Sequence, residues 1–91
     1  MSKYVLIGRL PVQPGKVADF MGIISRVDAS AMEGCYQYDV SYDDESVVVH
    51  EVWESKEHHD TALKDPAIMA LIGEAMPLLG GAPESLFEGQ A

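Results

Sequence analysis

Hydrophobic and polar positions along the chain follow two different periods, one typical of strands and the other of helices. Residues 4–12 are rich in strand formers, and in their first half both the odd and the even positions are apolar, which predicts a strand covered on both faces. A Pro-Gly turn follows, and the next apolar residues recur at helical spacing, which predicts an amphipathic helix ending near Glu33 and Gly34. The apolar positions of this helix are Val17, Phe20, Met21, Ile24, Val27 and Ala31.

The middle of the chain predicts a β-hairpin. Residues 36–42 alternate large and polar side chains, and an acidic turn separates them from a second strand at 46–53. A two-residue turn sets Asp39 opposite His50, whereas a slip of one residue would set Asp39 against the like-charged Glu51, so we expect the first register. That register places seven side chains on one face: Tyr36, Tyr38, Val40, Val47, Val49, Glu51 and Trp53.

The last third of the chain predicts a broken helix and a short strand. Ser55 is the N-cap expected for a helix over 56–64, and Asp65 with Pro66 repeats the signal for a second helix. A Gly-Gly turn then leads to a final strand at 85–88. The apolar stripe of the second helix consists of Ile68, Leu71, Ile72, Ala75 and Leu79.

This order of elements predicts the fold. Strand, helix, strand, strand, helix and strand with right-handed crossovers give an α+β, ferredoxin-like βαββαβ split sheet, formed by one domain over 1–91 with both helices on one face. Val5 and Ile7 would point to the opposite, bare face. We therefore expect a homodimer through that sheet face, with a second copy of the chain as its cover.

Composition excludes several classes of partner. The chain has 91 residues, a net charge of -9 and only six Lys plus Arg, which argues against nucleic acid and anionic membranes. No apolar run approaches the ~18 residues of a membrane span, and the first residues lack the layout of a signal peptide, so a cytoplasmic location is expected. The lone Cys35 allows no internal disulfide, and the three histidines lack the spacing of metal ligands, so no metal is expected.

Four short motifs stand in an order that resembles a known family: Pro14-Gly15-Lys16 after the first strand, Glu33-Gly34-Cys35-Tyr36, Glu51-Val52-Trp53-Glu54 and Asp65-Pro66. In this order and spacing they resemble the antibiotic biosynthesis monooxygenase family, including its small quinol-oxidising members. The resemblance implies a dimeric α+β barrel, two ferredoxin-like subunits packed sheet to sheet, with a pocket between sheet and helices. It also implies that an electron-rich phenol or anthrone, a small aromatic substrate, reacts there with oxygen without metal, flavin or other cofactor.

The chain departs from the family pattern at two helical positions. Many relatives carry a His where this chain has Ala62, and often another where it has Ala67. The related heme-degrading enzymes pair a Trp with an Asn on the first strand and a helical His. Strand 1 has no Asn, and Leu63 lies near the helical His position, so heme degradation is disfavoured.

Glu51 is the first candidate for a catalytic base. Oxidation of a phenol by oxygen begins with loss of a proton, and a Glu flanked by valines beside Trp53 should have its pKa raised by desolvation. Its structural alternative is a carboxylate that bonds Tyr38 or a backbone amide and fixes the chain before the helix. Trp53 would wall the pocket and donate its indole N–H to a substrate carbonyl, or be a plain core residue. Tyr36 and Tyr38 could add hydroxyl donors to a substrate.

His59 is the candidate proton shuttle. On helical geometry only one of His58 and His59 can face the sheet, and His59 shares the face of Leu63. The alternative is a solvent-facing histidine pair.

The sequence thus predicts a cofactor-independent monooxygenase acting on a quinol, anthrone or similar polycyclic phenol. One rival is an isomerase or lyase on a small keto-compound with Glu51 as base. The other is a non-enzymatic dimeric protein that binds a small molecule. A Glu51 that faces an accessible cavity would favour an enzyme, and one locked by hydrogen bonds a binder.

Overall fold

Strands and helices alternate in the predicted order. The computed structural model describes residues 2–91. Its strands are β1 (Tyr4–Pro11), β2 (Cys35–Tyr42), β3 (Ser46–Trp53) and β4 (Glu84–Gln90), and its α-helices are α1 (Val17–Ile24), α2 (Lys56–Ala62) and α3 (Pro66–Ala75). Two 3₁₀ turns cover Ala29–Ala31 and Met76–Leu78. The antiparallel sheet has the order β2-β3-β1-β4, which confirms the ferredoxin-like α+β fold.

The β2–β3 hairpin has the predicted register, with Asp39 opposite His50 and Tyr38 opposite Glu51. On the other side of β3, Leu6 of β1 lies opposite Glu51. Because residues paired across strands share a face, Glu51 is placed between Tyr38 and Leu6 on one face of the sheet.

The predicted position of Tyr36 on the same face as Trp53 is wrong. The register shifts between Cys35 and Gln37, so that Cys35 lies opposite Trp53 and Tyr36 has no partner on β3. Tyr36 is 58% exposed, and the Lys3 ammonium lies 5.0 Å from its ring centroid. An extra residue in a bulge breaks the period-two count from which its face was inferred.

The first helix is shorter than predicted, because local side-chain hydrogen bonds end it. It stops at Ile24, where Ser25 Oγ donates to the Gly22 carbonyl over 2.8 Å. The Asp28 carboxylate then accepts the Ser30 amide at the 3₁₀ turn. Ser and Asp compete in this way with the helical ladder. Gly34 has φ +80° in the loop before β2, not at a helix end.

The second helical region is broken where predicted. Ser55 Oγ accepts the His58 amide over 3.2 Å and caps α2, and Asp65 Oδ1 accepts the Ala67 amide over 2.8 Å and caps α3. The final strand is longer than predicted, since it continues to Gln90.

The apolar core lies between one end of the sheet and the helices. Its buried members are Val12, Phe20, Val47 and Ala75. Val47 and Trp53 lie at opposite ends of β3. Trp53 therefore packs with a separate group of side chains at the other end of the sheet.

The other face of the sheet carries partly exposed apolar side chains, as predicted, together with His50 and Arg9. Val5, Ile7, Val48 and Val52 alternate with the residues that face the helices, and Phe87 of β4 pairs with Ile7 and is exposed. No helix within residues 2–91 is long and apolar enough to cross a membrane.

Candidate active site

Glu51 lies near the end of β3, where the valine-rich strand carries it under α2. The residue is 9% exposed, and the Trp53 indole Nε1 donates a hydrogen bond to its Oε1 over 3.0 Å. Side chains two residues apart on a strand share a face, so the strand itself builds this pair. The predicted carboxylate and indole are therefore together, and the indole N–H is taken by Glu51.

Burial raises the pKa of the Glu51 carboxyl above its ordinary value, while the hydrogen bond from Trp53 and the nearby His59 lower it in part. A carboxylate that loses water holds its proton more tightly. Glu51 is consequently a better proton acceptor than an exposed glutamate.

His59 faces this carboxylate from α2. Its side chain is 14% exposed, and its ring meets the Trp53 ring edge-on with centroids 5.6 Å apart. The Tyr4 ring lies 5.7 Å away on another side. The prediction that His59 is the histidine facing the sheet is confirmed.

His58 has a different role. Its Nδ1 lies 2.7 Å from Ser55 Oγ, and its Nε2 lies 3.1 Å from the Glu54 carboxylate. These contacts tie its ring to the beginning of α2. His58 thus holds the connection between β3 and the helix.

One residue of the site, Tyr4, was not predicted from the sequence. Tyr4 is buried opposite Trp53, and its hydroxyl donates to Glu88 Oε2 over 2.7 Å. Burial and the Glu88 carboxylate raise the pKa of Tyr4 to about 12. Only the pairing of β1 with β3 and β4, which joins distant parts of the chain, could have revealed this contact.

Tyr38 and Cys35 border Glu51 from β2. Burial and the Glu51 charge raise the pKa of Tyr38 to about 12, so its hydroxyl keeps its proton. Burial and the Glu51 charge also raise the pKa of Cys35, whose thiol is therefore not activated as a nucleophile. Tyr38 thus keeps a protonated hydroxyl that can donate a hydrogen bond.

We use the name Glu51 cluster for Tyr4, Tyr38, Glu51, Trp53 and His59. The group combines a buried carboxylate, an imidazole and a phenol hydroxyl between aromatic walls. Such a set can remove a proton from a phenol and stabilise the anion that forms.

Two surface clefts lie outside the Glu51 cluster. One, of about 450 Å³, is lined by the loop around Glu33 and by α2, including His58 and Ala62. The other, of about 660 Å³, lies between the hairpin turn and α1, beside Tyr42. Ala62, at the position where the resemblance implies a histidine, thus borders the first cleft, and Glu51 lines neither. In the described residues, 2–91, no three His, Cys, Asp or Glu side chains are grouped to hold a metal ion.

Comparisons with known proteins agree with this fold. The sequence model of the family described as antibiotic biosynthesis monooxygenase matches residues 3–73. A search of the curated proteins gave no match.

Solved structures cover nearly the whole chain. A crystal structure from Chloroflexus aurantiacus J-10-fl, provisionally named an antibiotic biosynthesis monooxygenase, is 29% identical with a TM-score of 0.81, over 99% of this chain and 91% of that one. A conserved protein from Methanosarcina mazei Go1 is 19% identical with a TM-score of 0.85, over 100% and 92%. SnoaB, a cofactor-independent oxygenase from Streptomyces nogalater, is 19% identical with a TM-score of 0.78, over 100% and 92%. The last two show a shared fold.

Proposed function

The chain belongs to the antibiotic biosynthesis monooxygenase family, and we propose that it is a cofactor-independent monooxygenase that oxidises a quinol, an anthrone or a similar polycyclic phenol with molecular oxygen. The observation that carries the proposal is that two acid–base groups, Glu51 and His59, both contact the buried Trp53. SnoaB, with the same fold, is a cofactor-independent oxygenase.

The substrate supplies all the electrons in the proposed reaction. A phenol loses its proton and becomes an anion that passes an electron to oxygen, and the two radicals combine at carbon. One oxygen atom ends in the new C=O or C–OH group of the quinone, and the other leaves as water. For an anthrone the ring CH₂ becomes C=O, so one O₂ gives one quinone and one H₂O.

His59 is the group that meets the substrate in this scheme. Its Nδ1 lies 3.1 Å from Asp60 Oδ1, and its Nε2 makes no hydrogen bond to residues 2–91. Nε2 therefore takes the phenolic proton. The buried carboxylate of Glu51 stabilises the imidazolium and can accept the proton from it. General acid–base catalysis of this kind increases rates by about 10²–10⁴-fold.

Tyr38 and Trp53 bind the substrate and hold the acid–base groups in place in this proposal. The Tyr38 hydroxyl, which keeps its proton, donates to the phenolate oxygen. Trp53 is 1% exposed and donates its indole N–H to Glu51. Its ring packs against both acid–base groups and limits their movement. Tyr36 has no part in this proposal because of its exposed position.

We also propose that the protein is a homodimer through the bare sheet face. The partly exposed side chains of Val5, Ile7, Val48 and Val52 form an apolar surface there, which a second copy would cover. The cytoplasmic location stays a prediction from the sequence.

A binding protein without catalysis is the second candidate. It is favoured by the hydrogen bond that Trp53 makes to Glu51 and by the absence of Glu51 from the linings of the two clefts. An isomerase acting on a keto-compound would use the same Glu51 but consume no oxygen.

Oxygen labelling separates these candidates. Purified, chelator-treated protein is given ¹⁸O₂ with menadiol, anthrones and catechols, and the products are analysed by mass spectrometry after subtraction of autoxidation. The proposal expects one labelled atom per quinone and one O₂ per product. Substrates that bind without reacting would support the binding protein, and turnover of a keto-compound without oxygen would support the isomerase.

A further inference from the structure

The carboxylate of Asp60 has a contact at each of its two oxygens, and one of them is with His59, the proposed proton acceptor. Oδ1 lies 3.1 Å from His59 Nδ1, and Oδ2 lies 3.3 Å from the Lys56 ammonium one helical turn earlier. The hydrogen bond with His59, followed by the contact with Lys56, lowers the pKa of Asp60. Asp60 is therefore ionised and can only accept a hydrogen bond.

We propose that Asp60 is a positioning residue that keeps the proton of the neutral His59 ring on Nδ1 and leaves Nε2 unprotonated as the proton acceptor. The fixed proton follows from the hydrogen bond, because a carboxylate that only accepts requires a donor at Nδ1. The use of Nε2 on a phenol rests on the proposed function.

The surroundings of His59 give Nδ1 no rival acceptor. On β1 the Tyr4 hydroxyl donates to Glu88 of β4, and on β3 the Glu51 carboxylate accepts from Trp53. The rings of Tyr4 and Trp53 pack against the imidazole and limit its rotation. Within residues 2–91, Asp60 is the carboxylate within hydrogen-bond distance of this ring.

The contact is too exposed to serve mainly for stability. The Asp60 side chain is 46% exposed, and exposed ion pairs contribute little to stability. What the contact changes is which ring nitrogen carries the proton. Had the proton been on Nε2, the nitrogen free of protein contacts would be a donor, and a phenol could not give it a proton.

The test is the tautomer of His59, read from ¹⁵N–¹H correlations of the imidazole nitrogens at a pH where the ring is neutral. The wild-type protein should show the proton on Nδ1. Asp60→Asn should move it to Nε2, because the amide can donate to Nδ1, and Asp60→Ala should leave a mixture. His58, which contacts Ser55 and Glu54 instead, is the internal control and should not change.

A wild-type His59 with its proton on Nε2, or an Asp60→Asn variant with an unchanged tautomer, would overturn the proposal. Thermal unfolding of each variant verifies that it is folded. Where a substrate is turned over, Asp60→Asn should lower kcat by about 10²-fold with little change in KM, since only the proton acceptor is altered. The tautomer is measured without substrate, so failure of the oxygenase proposal would show as absent turnover with the Nδ1–H tautomer intact.

Discussion

At the scale of single residues, the burial of Glu51 links the fold to its chemistry. The raised pKa means that the folded chain holds this proton at a pH where the unfolded chain has released it. The contribution of Glu51 to the stability of the wild-type protein therefore falls as pH rises from the ordinary glutamate value, 4.5, through the folded pKa.

Replacing Glu51 by Gln removes this dependence, since Gln does not titrate and its carbonyl can still accept from Trp53. The unfolding free energy of Glu51→Gln minus that of wild type should increase as pH rises above about 4.5 and then level off. Urea unfolding at several pH values measures it. Glu45→Gln, an exposed site in the hairpin turn, is the matched control and should give a flat difference; a flat or falling difference for Glu51→Gln contradicts the burial argument.

Gly34 offers a second test at this scale. Its φ is +80°, and a Cβ there would lie 2.5 Å from the His58 ring, whereas Gly15 has φ +77° with nothing within 4 Å. Gly15→Ala should cost about 1–2 kcal/mol of unfolding free energy for the left-handed backbone alone. Gly34→Ala should cost more because of the clash. Equal losses in thermal or urea unfolding would show that His58 moves aside freely.

The sequence pattern predicted neighbouring side chains correctly only in segments where the two-residue period of a strand or the 3.6-residue period of a helix was uninterrupted. The shared face of Glu51 and Trp53, and the inward position of His59, followed from periods of two and about 3.6. Tyr36 was misplaced because a bulge adds a residue, which the alternation of side chains does not show. Tyr4 was missed because its site depends on pairing across the whole chain.

At the scale of elements, capping residues decide where helices begin. Asp65 and Pro66 correctly predicted the start of α3, and Ser55 correctly predicted the start of α2. The end of α1 was less predictable, since apolar spacing continued to Ala31 while Ser25 and Asp28 turned the backbone away.

The cap of α3 can be tested with a matched pair of variants. Asp65→Ala removes the acceptor for the Ala67 amide and should cost about 1 kcal/mol of unfolding free energy. Asp65→Asn keeps an acceptor and should cost far less. If both variants unfold at the wild-type denaturant midpoint, the cap does not stabilise the fold.

At the scale of the whole molecule, charge and exposed apolar surface act against each other. Each copy carries a net charge of -9, which repels other copies, while the bare sheet face favours association. The proposed dimer requires that the apolar face outweighs this repulsion.

Ile7→Lys tests the balance. Lysine reduces the repulsion between two acidic chains, so any loss of association must come from the buried apolar contact. We expect self-association at least about tenfold weaker in sedimentation equilibrium, because an unpaired charge is costly to bury. Ile72→Lys, at an exposed position of α3, should associate like wild type. A monomeric wild-type protein, or an equal effect of both changes, would refute the sheet-face dimer.

The role of the Glu51 cluster is tested by the rate of oxygen uptake by wild type, Glu51→Gln and His59→Gln with the quinol or anthrone that reacts fastest. We expect uptake above autoxidation in the wild-type protein and losses of about 10²-fold or more in each variant, with folding retained. Uptake that persists unchanged in both variants would contradict the assignment of the Glu51 cluster as the active site.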